Sequence, residues 1–92
     1  MTDEQLGRQM AVADAKLREA VARLLREDGV GVLAASLALA GLTAELTVDF
    51  ALSQGVGDAD AALKPVIRFL REQGRARAEL HRVAAMEPKG RA

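Results

Sequence analysis

GVGVLAASLALAGLTAELTVDFALS, residues 29–53, is the stretch on which the fold of this chain turns. Its first sixteen residues, Gly29 to Ala44, carry no charge, and only Glu45 and Asp49 interrupt the remainder. Two periodicities compete within it. From Leu42 to Leu52 every second residue is apolar while Thr43, Glu45, Thr47, Asp49 and Ser53 are polar, which is the alternation of a strand. Read as a helix, the segment puts Leu39, Leu42, Leu46 and Phe50 on one side, with Val48 and Leu52 on another. Pairing decides between them. A strand must find partners for its backbone groups, and no other segment of the chain alternates. The reading is therefore a helix over 32–53, with a strand paired across a dimer as the alternative. A helix apolar nearly all round belongs at the centre of a bundle or inside an oligomer.

The flanking segments are plainer. Before it, Leu6, Met10, Ala13, Leu17, Ala20 and Leu24 recur at alternating spacings of four and three, widened by Val21 and Leu25, with charged residues between. This predicts an amphipathic helix over about 3–28. Thr2 or Asp3 caps its start, and Gly29 stops it. After it, Ser53-Gln-Gly-Val-Gly57 reads as a loop and Asp58 or Asp60 as the cap of a third helix over about 59–86. Leu63, Val66, Ile67, Phe69 and Leu70 form its apolar face, continued by Ala76, Leu80 and Val83. Pro65 lies past the first turn, so the helix either kinks there or starts near Leu63. A break at Gly74 would leave a short fourth piece. Residues 87–92 read as a flexible tail. The expected fold is all-α, a single domain over 1–86 of three helices (four if Gly74 breaks the third), completed by dimerisation.

Composition agrees with helix throughout. The 92 residues include 19 Ala, 13 Leu and 8 Val against two Phe and no Trp or Tyr. Ala and Leu favour helix, yet a core built largely from Ala buries little surface. With no Cys there is no disulfide, thiolate or Cys–zinc chemistry, in keeping with a cytoplasmic setting. The N-terminus is acidic and unlike a signal peptide. The uncharged run falls short of the roughly 20 apolar residues of a spanning helix, so no membrane span is expected.

The formal charge of zero hides an asymmetry. Residues 1–60 hold five Lys/Arg and ten Asp/Glu, whereas residues 61–92 hold eight and three. The halves thus carry −5 and +5. Lys64, Arg68, Arg71, Arg75 and Arg82, spaced 4, 3, 4 and 7 apart, make one stripe along the third helix. Arginine forks suit phosphate or carboxylate, so these five are the candidate site for an anion or an acidic protein partner. Nucleic acid ranks lower, because zero net charge gives no general attraction and no aromatic residues accompany the stripe for base stacking.

Catalytic and metal sites are not expected, and neither are cofactors. Glu45 and Asp49 share a helix face, but a carboxylate-bridged metal would need a Glu-x-x-His partner, and the single histidine sits in Glu79-Leu-His81 at the wrong spacing. These acids are expected on an exposed edge or paired with third-helix arginines. No Walker-type loop, Gly-x-Gly-x-x-Gly or Gly-x-Ser-x-Gly occurs. The functional expectation is a non-enzymatic interaction module that forms a homodimer. Ala40, Ala44, Val48, Ala51 and Leu52 form the candidate interface, on the side of the middle helix turned away from the other two. The alternatives are a DNA-binding protein using the basic helix, and a small enzyme holding an anionic substrate with the Arg cluster and Glu45.

Overall fold

The structure is a computed structural model that describes residues 1–86; the expected tail at 87–92 lies outside the described residues. Three helices, α1 (Asp3–Arg26), α2 (Val32–Ser53) and α3 (Ala59–Met86), make 86% of it helical, with no strand among the described residues. The fold is all-α. The alternation over 42–52 therefore runs along a helix, whose backbone groups are satisfied within the segment without a pairing partner.

Each boundary has a local cause. Thr2 caps α1 with a reciprocal capping box: its Oγ1 accepts from the Gln5 backbone N–H (3.1 Å), and the Thr2 backbone N–H donates to Gln5 Oε1 (2.9 Å). Asp3 and Glu4 follow in the first turn and Arg23 and Arg26 lie in the last, complementing the helix dipole at both ends. Thr2→Ala should cost the helix about 1 kcal/mol. Amide hydrogen exchange at residues 3–6 would quicken while exchange in α3 stays as it was; unchanged exchange at both would show that the box contributes nothing.

Gly29 adopts φ 67° just past α1, a left-handed conformation that residues with a Cβ rarely take. At the other end of α2, Gly55 at φ 88° allows a Schellman closure. There the Val56 N–H donates to the Ala51 carbonyl (3.0 Å) and the Gly55 N–H to that of Leu52 (3.1 Å). Asp58 opens α3, its Oδ1 accepting from the Asp60 N–H (3.0 Å). The helix then runs unbroken through Pro65 and through Gly74. Pro65 neither delays its start to Leu63 nor ends it, and Gly74 makes no fourth piece, consistent with a cost of only about 1 kcal/mol relative to Ala.

The chain divides into two compact units, Met1–Thr43 and Ala44–Ala92, so the division falls inside α2. In the first unit Ala35 is buried and Val21, Ala22 and Val30 are half-buried. Leu39 lines a small apolar groove there with Leu17, Val21 and Leu25 of α1. In the second unit Ala62 is buried, and Leu63 and Val66 of α3 are half-buried, as are Ala44, Thr47, Val48 and Ala51 of α2. At 100° per residue each set occupies one side of its helix, so the end of α2 and the start of α3 form a hairpin closed by small side chains.

This corrects the expected orientation of α2. Of the four residues assigned to its inner side, Leu42, Leu46 and Phe50 are 55%, 72% and 68% exposed. The physical reason is size. Helices approach most closely where Ala, Thr and Val meet, and that contact turns the larger side chains outward. Ala35 and Ala62 are the only buried hydrophobic residues described.

Candidate interaction surfaces

The basic stripe lies where periodicity places it. Lys64, Arg68, Arg71 and Arg75 are all exposed and line an open groove along α3 together with Asp60 and Glu72. By helix geometry they fall within a sector of about 60° and span about 17 Å of the axis. That sector is roughly opposite the side that carries Ala62, Leu63 and Val66, so the stripe faces away from α2 in the hairpin.

Ion pairing separates these four cations from most others. In α1, Arg8 meets Glu4 (3.0 Å), Arg18 meets Asp14 (2.8 Å), and Arg23 lies 3.7 Å from Glu19 and 3.9 Å from Glu27. In α3, Arg82 pairs with Glu79, and its guanidinium holds the Glu79 carboxyl below the usual glutamate range. These are exposed pairs about one helical turn apart, largely screened by solvent. Among the described residues Lys64, Arg68, Arg71 and Arg75 form no ion pair. Arg82, the fifth member of the expected stripe, is thus partly neutralised and the other four are not.

Glu45 and Asp49 lie on an exposed edge of α2, as expected, and form no ion pair among the described residues. The cause is both sequence and geometry. No Lys or Arg occurs between Arg26 and Lys64, so α2 has no cation of its own. Both acids sit more than about 100° round the helix from the side that meets α3. Pairing with third-helix arginines, the other expectation for them, is absent among the described residues.

The remaining candidates divide. Ala40 and Leu52 are exposed, whereas Ala44, Val48 and Ala51 are half-buried within the chain itself. The open apolar surface of the second unit includes instead Leu46, Phe50 and Leu52 on α2, with Ile67, Phe69, Leu70, Leu80, Val83 and Met86 on α3. Sequence reasoning placed Leu46 and Phe50 inside. The signal that locates them outside is the run of small residues at 44, 47, 48 and 51. Polar groups in α2 are satisfied locally: Thr43 Oγ1 donates to the Leu39 carbonyl (2.8 Å) and Ser53 Oγ to that of Phe50 (2.6 Å). No buried side-chain polar atom is left without a partner, and no cluster of metal-ligating residues occurs, among the described residues.

One described helix, Val32–Ser53, is long and apolar enough to cross a membrane, with a mean hydropathy of 1.5 over its best 18-residue window. Its 22 residues extend about 33 Å, against a hydrocarbon thickness of about 30 Å. Glu45 and Asp49 oppose that placement, since each carboxylate within a spanning helix costs about 2.5–3.5 kcal/mol near the bilayer centre. Comparisons with protein-family models, curated proteins and solved structures find no match to this chain.

Proposed function

We propose that this chain is a non-enzymatic self-association module, in which the outer side of α2 is covered by a further copy. One observation carries the reading: the large apolar side chains of the second unit are open to solvent, and the buried hydrophobic residues of the described chain are two alanines. Burying a Leu or Phe side chain contributes about 1.5–3 kcal/mol. Leu46, Phe50 and Leu52 together therefore represent a driving force comparable with a small domain's entire stability. A further copy suits them because the chain carries equal and opposite charges on its two parts, −5 on residues 1–60 and +5 on residues 61–92. Identical copies thus attract where unlike parts meet, with no net charge to repel them.

Sedimentation equilibrium near 10 µM, where an association of about micromolar affinity is populated, tests the reading. The expected mass is at least twice the 9.8 kDa of the chain. A 9.8 kDa species that persists at tenfold higher concentration would overturn it. Flotation with phosphatidylcholine vesicles supplies the competing outcome. The chain should stay behind, and quantitative flotation would assign the apolar side of α2 to lipid instead.

A further inference from the structure

We infer that the contact between copies is a pairing of unlike faces: Glu45 and Asp49 of one copy dock on the Lys64, Arg68, Arg71 and Arg75 stripe of another. The inference rests on the self-association reading and specifies which surfaces meet. Three observations lead to it. The charge asymmetry is not neutralised within the described chain, since every described ion pair joins residues three or four apart in one helix or at its end. Glu45 and Asp49, unpaired, lie on the outer side of α2, and Lys64, Arg68, Arg71 and Arg75 on the outer side of α3, where Asp60 and Glu72 offset part of their charge. Finally, those two sides point away from each other across the hairpin, so no copy can bring its own Glu45 and Asp49 to its own stripe.

A symmetric contact of α2 on α2 is disfavoured by the same facts. It would gather Glu45 and Asp49 from both copies in one interface without a single basic residue, and like charges so placed repel. Against α3 of another copy, each carboxylate meets guanidinium groups instead. The aliphatic stems of Lys64, Arg68 and Arg71 can lie over Leu46 and Leu52, which flank the acids, leaving their charged heads at the rim. The spacing fits as well. Glu45 and Asp49 are about 6 Å apart along their axis, as are Lys64 and Arg68, and Arg71 and Arg75. Because the two faces lie on opposite sides, the contact is head to tail. Copies using both faces build a ring or an open row, not a closed pair.

Two charge-reversed chains test this, Glu45→Lys with Asp49→Lys, and Arg68→Glu with Arg71→Glu. All four positions are exposed, so circular dichroism should report unchanged helix in each. Each variant alone should associate at least about tenfold more weakly than wild type, since the reversed pairs now repel. An equimolar mixture should regain wild-type association in alternating copies, and 1 M NaCl should weaken the wild type by screening. If either variant alone associates like wild type, or the mixture associates no better than its components, the pairing is wrong although self-association stands. If wild type is itself monomeric, both readings fall. A third result would also overturn the pairing: wild-type association unaffected by the stripe reversal, with the stripe instead required for a salt-sensitive duplex-DNA complex tighter than about 10⁻⁵ M.

Discussion

Leu46→Gln combined with Phe50→Gln should reduce self-association by at least about a hundredfold while leaving the helix content of the chain intact. The two side chains are 72% and 68% exposed, so the hairpin of the second unit does not depend on them, and Gln is about as good a helix former as Leu. Covered by another copy, they contribute about 3–6 kcal/mol together, and each 1.4 kcal/mol is a factor of ten in affinity. Gln leaves the charge unchanged, so the variant isolates apolar burial from the ionic pairing. Val48→Lys makes the contrast. Val48 is half-buried inside the hairpin, so that substitution should lower helix stability as well as association. Sedimentation together with circular dichroism separates the two. Wild-type association in the double Gln variant would remove the outer side of α2 from the interface.

Stability should depend strongly on concentration. A chain whose described buried hydrophobic residues are two alanines has little to hold its helices in place when isolated. In proteins most helical stability comes from packing an apolar face against a neighbour, and these helices bury little of theirs. For a bimolecular association, dilution from 100 µM to 0.1 µM removes about 4 kcal/mol of stabilisation. Shared between two chains, that is about 2 kcal/mol each, a fall in Tm of roughly 8–16 °C for a domain of this size. Thermal unfolding followed by circular dichroism across that range measures it directly. A midpoint that stays fixed would mean that each unit is stable alone, and the apolar faces would then need another explanation.

Most element boundaries were legible in the sequence, because they rest on local chemistry. Thr2 at a cap and Gly29 at a stop act through their own backbone geometry, and the observed Asp3–Arg26 differs from the expected 3–28 only in the last turn. Both ends of α2 fall where the turn residues put them. The orientation of α2 was not legible. Amphipathic stripes single out one side of α1 and of α3, although of their members only Val21, Leu63 and Val66 are half-buried, whereas a segment apolar all round singles out none. The choice then falls to the distance of closest approach, which is set by Ala44, Thr47, Val48 and Ala51, not by the leucines. The cationic residues were found by spacing alone, since helical periodicity aligns them whatever surrounds α3. Which of them lacked a partner was not legible, because that depends on where the acids of α2 point. Pro65 and Gly74 taught the complementary lesson. A helix with an apolar or charged residue on each required side continues through an isolated unfavourable residue, and local propensity is overridden.

The division of the chain inside α2, between Thr43 and Ala44, bears on how quickly it folds. Within each unit the half-buried residues belong to helices joined by a short turn, so the residues that meet are close in sequence and little loop entropy is lost in bringing them together. Chains with such local topology reach their folded form in microseconds to milliseconds. If copies associate as proposed, their meeting is a second-order step and the slower event. Until such a meeting Leu46, Phe50 and Leu52 stay uncovered. On the proposed pairing, the acids of α2 and the cations of α3 would give that first encounter an orientation before any apolar contact forms.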